Sequence, residues 1–196
     1  MKNILLIFIL FSNFIFSQKN NTDLLFISEI EKSIIEHINE HRIKLKDSSL
    51  IIKRESILDS ASNYHNEYLK ILNGNKLNRF CILHTEYRTI DGLTYTGSNE
   101  ILTYSDDRVL KFDKEKKFYN VKEIIFAIGG LSEIKDNPNR SSKIIANYIL
   151  NSWLNSKDHK SSVESILVNK IGVSVYFNTE SNSLCVVSVL SNKKLD

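Results

Sequence analysis

The chain has 196 residues, 42% of them hydrophobic, with 26 Lys and Arg against 23 Asp and Glu, a formal charge of +3. A balance so near neutral, with lysines interleaved among acids, gives no bulk-charge case for nucleic acid or an anionic membrane as partner. The length suits one domain with enough core to fold unaided.

The N-terminus carries Lys2, then the apolar stretch Ile4 to Phe16, broken only by Ser12 and Asn13, then the small Ser17. That order is the order of a secretory signal peptide, residues 1–17, cut between Ser17 and Gln18. The alternative is an uncleaved anchor, for which the stretch is short against the roughly 20 apolar residues of a spanning helix. The mature chain is therefore expected to be secreted or periplasmic, with no stable transmembrane anchor. Cys81 and Cys185 are the only cysteines. After export they form either one disulfide or two separate buried thiols.

Residues 18–23 read as a polar, flexible lead-in. Ile27, Ile30, Ile34, Ile38 and Leu45 then recur at helical spacing with charges opposite, which predicts a first helix ending near Lys46-Asp47-Ser48-Ser49. Ser56 opens a second, with Asp59 as a weak capping-box partner, an apolar face of Ile57, Ala61, Tyr64, Tyr68 and Leu72, and Gly74 as C-cap. Residues 80–102 turn to Thr, Tyr and Ile, with Asp91-Gly92 as a turn, and suggest short strands or loops. A third helix starts near Ser141, buries Ile145, Ile149 and Trp153, and ends near Ser156. Ile171, Val173, Val175 and Phe177 alternate with smaller or polar residues, and residues 184–190 alternate again, which predicts an antiparallel hairpin. Helices first and a hairpin last mean an α+β fold packed in layers.

Several short motifs recur in one order. The first helix carries Ile38-Asn39-Glu40-His41-Arg42 and the second Leu58-Asp59-Ser60-Ala61-Ser62-Asn63-Tyr64-His65. His84-Thr85, Ser98-Asn99-Glu100-Ile101, Trp153-Leu154-Asn155-Ser156-Lys157-Asp158-His159 and Gly172-Val173 follow. Together they resemble the CAP superfamily (SCP-like), the module of cysteine-rich secretory and pathogenesis-related proteins, in its bacterial secreted form. Asn39 and Arg42 match that family's N-x-x-R helix, and Trp153, Ser156 and His159 match the bacterial W-x-x-S-x-x-H. The resemblance covers most of residues 30–190 and implies a three-layer α-β-α sandwich spanning residues 24–196. It departs from the family where G-E-N becomes Asn99-Glu100-Ile101, and the cysteine-rich frameworks of animal and plant relatives are absent. Residues 105–140 read as an insertion forming a flap over the cleft.

The resemblance further implies that His84, Glu100 and His159, with Ser156 beside them, converge in one cleft. An imidazole beside a carboxylate has its tautomer set and its basicity raised. Two such histidines are candidate ligands for a divalent metal such as zinc, although two histidines and one carboxylate are a partial set. Ser156 and His159, three apart on a continuing helix, are the pair a Ser-His-Glu nucleophile would need, but no strained G-x-S-x-G turn surrounds the serine. His37-Ile38-Asn39-Glu40-His41 also matches the inverted zinc-peptidase motif H-x-x-E-H; chance explains it better in so short a chain. Two functions follow. The first is a non-catalytic extracytoplasmic binding module whose cleft takes a small molecule, lipid, metal or protein. The second is a metal- or acid/base-assisted hydrolase using the same cleft.

Overall fold

The computed structural model describes residues 24–45, 51–73, 84, 86–89, 92–93, 101–129, 141–178 and 183–194. The expected signal peptide and lead-in, the Gly74 cap, Cys81 and Glu100 lie outside those residues. In chain order the elements are α1 (residues 24–44), β1 (Lys53–Arg54), α2 (Ser56–Asn73), β2 (Glu86–Thr89), β3 (Gly92–Leu93), β4 (Ile101–Thr103), α3 (Ser105–Phe112), β5 (Phe118–Ile128), α4 (Ser142–Asn155), α5 (Lys157–Val163), β6 (Lys170–Asn178) and β7 (Ser183–Lys193). The main sheet runs β1-β6-β7-β5, and a small one runs β3-β2-β4. Only β1 pairs in parallel, with β6; β6 with β7 and β5 with β7 are antiparallel.

The period of two in β5, β6 and β7 sorts their side chains into two cores. Leu184, Val186 and Leu190 of β7, Ile171, Val173 and Val175 of β6, and Ile124 and Phe126 of β5 face Ile30, Ile34 and Ile38 of α1 and Ile145, Ile149 and Trp153 of α4. The intervening Cys185 and Val187, with Ile125, face Tyr68 and Leu69 of α2. Val189 and Phe118 meet Leu58 and Ala61 of α2 and Val109 of α3. A sheet buried on both faces lies between α1 and α4 on one side and α2 and α3 on the other, the expected α-β-α order. The hairpin and the third helix fall where the periodicity placed them.

Two motif residues act by holding backbone. Asn39 donates from Nδ2 to Ile52 O (3.0 Å) and accepts from Ile52 N–H at Oδ1 (2.7 Å). Arg42, wholly buried, donates to the carbonyls of Val163 (2.9 Å), Ser165 (3.0 Å) and Val168 (3.0 Å). Asp59 does not cap its own helix. It binds Arg54 Nε (2.8 Å) and accepts the Val173 N–H (2.9 Å), while Glu31 accepts the Val175 N–H (3.2 Å). Beyond the two-residue β1, carboxylates thus take over the open edge of β6, which protects an otherwise exposed strand edge. Gly172 is where α2 crosses β6: a Cβ there would lie 2.0 Å from Leu58 C and 2.2 Å from Asp59 N. Only glycine permits that approach.

Residues 105–128 are not a flap. They form α3 and β5, and β5 pairs with β7 from Phe118 to Ile128, around an irregularity between Tyr119 and Lys122. The apolar residues Ile124, Ile125 and Phe126, which looked surplus beside a compact family member, are core. Residues 130–140 lie outside the described part.

Candidate functional site

β5 is an edge strand of the main sheet, so elements of both layers reach its flank. From one layer, α4 covers it, with Trp153 Nε1 donating to Ile125 O (3.2 Å). From the other come α2 and α3. The alternation that sends Ile124 toward α1 and α4 sends Glu123 to the opposite face. There its side chain is 2% exposed, against the wholly buried side chains of Arg108 from α3 and His65 from α2.

Glu123 is the hub. One carboxylate oxygen, Oε2, accepts a hydrogen bond from Arg108 Nη2. The other, Oε1, accepts from His84 Nδ1 at 3.1 Å and lies 3.9 Å from His65 Nε2. Arg108 also donates to the backbone carbonyl of His84 (3.3 Å), so one guanidinium holds both the carboxylate and the histidine's backbone. Burial alone would raise the Glu123 carboxyl. The His84 hydrogen bond and the charges of His65 and Arg108 outweigh it and hold the group below its ordinary value.

His84 and His159 stand with ring centroids 6.1 Å apart and planes at 54°. His84 keeps 47% of its side chain exposed. His159, on α5, is half-buried. Burial first, then the neighbouring His84, lowers the His159 pKa, partly opposed by Asp158.

Of the expected set, the two histidines come together, and the carboxylate that binds His84 is Glu123. Glu100 lies outside the described residues, immediately before β4. Ser156 is not on a continuous helix with His159. It ends α4 in an extended conformation (φ −96°, ψ 123°), starts α5, and makes no side-chain capping hydrogen bond. It is the N-cap of α5, with His159 the third residue of that helix, and no hydrogen bond joins the two side chains, so the activated pair a nucleophile reading needs is not formed.

Neither H-x-x-E-H histidine faces a shared ligand. His37 lies against Glu40 (3.0 Å) and Lys143 O (3.1 Å), tying α1 to α4. His41 pairs with Glu164 (2.9 Å). Among the described residues no group of three or more His, Cys, Asp or Glu is arranged to hold a metal ion. His84 and His159 supply two ligands, and Glu123 is committed to Arg108, so the described set does not complete a zinc shell. Cys185 is buried in the core and disulfide-bonded, and the chain's only other cysteine is Cys81.

Glu123 and Arg108 carry no motif signal, and the motif that holds His65 does not mark it as a site residue. His65 lay within the α2 motif only as a match, and Arg108 and Glu123 lay in the stretch read as an insertion. The available clue was Glu123 standing between Val121 and Ile125, two residues away on either side, a charge that a strand pattern would bury and that must then find partners.

No family model matches this sequence, and no curated protein is significantly similar to it. Among solved structures, an outer surface protein from Borrelia burgdorferi superposes with a TM-score of 0.56 at 20% identity, covering 85% of this chain and 94% of that one. A cysteine-rich secretory protein from Staphylococcus aureus superposes with a TM-score of 0.48 at 16% identity, covering 84% of this chain and 38% of that one. The fold is α+β, and the likeness to the Borrelia protein is a likeness of fold. Among the described residues no helix is long and apolar enough to cross a membrane.

Proposed function

We propose that this chain is an exported CAP-like binding module, which holds a small ligand in the cleft between His84 and His159 and does no chemistry of its own. The supporting observation is the pairing of these imidazoles, 6.1 Å apart, on segments that share no helix or strand. Two half-open histidines over a buried, fully partnered carboxylate form a polar floor suited to recognition. A hydrolase would need in addition an activated nucleophile or a completed metal shell, and Ser156 at a helix joint supports neither.

The test is imidazole-detected NMR of protein recovered from the extracytoplasmic fraction, titrated with a small-molecule fragment set. Ligands should perturb His84 and His159 together, and His84→Ala or His159→Ala should abolish the response. Perturbation confined to His37 or His41 would place the site elsewhere. Intact mass on the same sample should give a chain beginning near Gln18; a membrane-bound chain retaining residues 1–17 would remove the export reading.

A further inference from the structure

We infer that Glu123, held by Arg108, is a positioning residue that locks His84 as the Nδ1–H tautomer, so that the cleft selects ligands bearing a hydrogen-bond donor, a hydroxyl or an ammonium, over carboxylates and phosphates. This rests on the binding-module reading and names the ligand class for the same cleft.

The argument is one of hydrogen-bond inventory. Glu123 Oε1 is an ionised carboxylate oxygen and can only accept, so the 3.1 Å contact requires the proton to sit on His84 Nδ1. A neutral imidazole carries one N–H, and Nε2 on the far side of the ring is then an acceptor. The carboxylate is 2% exposed, which shields the bond from competing water, and Arg108 fixes its second oxygen. The same guanidinium anchors the His84 carbonyl, so the backbone that carries the ring is held too, and the ring cannot flip without breaking its bond to Oε1.

Charge points the same way. Among the described residues the guanidinium beside the imidazoles, Arg108, is paired with Glu123, and that pair carries no net positive charge to attract an anion. A donor approaching between the rings meets the lone pair of Nε2. A carboxylate in that place would set acceptor against acceptor, the unpaired arrangement that costs most in a partly buried site.

Two measurements test this separately from the cleft assignment. Long-range 15N–1H correlation at pH 7.5 reads the His84 tautomer directly. The expected result is Nδ1–H in the wild type and loss of that preference in Glu123→Gln, with the fold intact by amide spectra. A wild-type Nε2–H tautomer or an imidazolium at that pH overturns the inference even if the cleft binds ligands. The second measurement titrates 1-butanol, butylammonium and butyrate, which share one alkyl chain. The alcohol and the ammonium should shift the His84 and His159 resonances at concentrations at least tenfold below any effect of butyrate. Equal or stronger shifts with butyrate overturn the selectivity, as does stoichiometric Zn2+ uptake by both imidazoles. If no probe moves either histidine while the tautomer is as expected, the binding-module reading fails, and the ligand-class inference falls with it.

Discussion

Two buried arginines divide this molecule. Arg42 and Arg108 are both wholly inaccessible, yet their partners differ in kind. Arg42 donates to three neutral carbonyls in residues 163–168, and burial pulls its pKa down. Arg108 meets a carboxylate and a histidine carbonyl. The first stitches residues 163–168 to the end of α1 that carries the Asn39 and Arg42 motif. The second supports a half-open pair of imidazoles from a stretch that matches no motif. A buried guanidinium is therefore no marker of a site; what it neutralises decides.

The largest effect should come from breaking the second arrangement. Glu123→Ala removes the buried carboxylate that Arg108 and His84 both hold and should lower unfolding free energy by about 3–5 kcal/mol, read by chemical denaturation. Glu123→Gln, which can still accept from Arg108, should cost less. If the two cost the same, desolvated charge is not what holds this corner.

Arg42→Met should cost about 2–4 kcal/mol, since it leaves three buried carbonyls without donors while keeping the apolar stem. The contrast lies in the readout. Arg42→Met should leave the His84 and His159 imidazole signals in place, whereas Arg108→Met should move them. Equal disturbance by both would erase the distinction between the two arginines.

Gly172→Ala tests the motif-bearing end from the backbone side. A methyl 2.0 Å from Leu58 C forces α2 off β6 and should cost about 3 kcal/mol, the upper range of overpacking. The His84 tautomer should again be unchanged.

The smallest effect is that of pH, and its sign for His159 and Glu123 follows from their lowered values. His159 titrates below its ordinary 6.5 in the folded state, so the unfolded chain binds that proton first. Its contribution to stability is present above about pH 6.5 and declines as pH falls through the folded value. Glu123, held below 4.5, adds a loss at more acid pH. Glu31 runs the other way: burial raises it above 4.5 despite Arg54, so its contribution is present below that value and is lost as pH rises through its folded pKa. His159→Ala should flatten the stability profile just below pH 6.5, and Glu123→Gln the profile below pH 4.5. An unchanged profile in both variants would contradict these shifts.

The local elements were legible because their causes are local. Isoleucines at helical spacing predicted α1, and strict alternation predicted β6 and β7, since both patterns follow from backbone geometry alone. Short motifs carried the order of the layers, and behind each stands a contact that needs that residue type: Asn39 matched to one peptide unit, Arg42 to three carbonyls, and Gly172 to a helix crossing. The histidine pair was reached through resemblance rather than chemistry, because nothing in two isolated imidazoles announces that they meet.

Residues 105–128 mark the limit. By sequence alone they were surplus chain between two motifs, and a flap was the economical reading. Yet Phe118 to Ile128 adds an eleven-residue edge strand, and the face on which Glu123 falls depends on β5 pairing with β7 in one register, since a slip of one residue would send it to the other core. Sequence determined by itself α1, α2, α4 and the hairpin, because periodicity is a property of neighbours along the chain, and the order of the layers came through the resemblance of short motifs. Only the tertiary structure decided that Glu123, Arg108 and His65 support His84. Their meeting depends on which strand edge is open and which layer covers it, and pairing between distant segments leaves no trace in either segment alone.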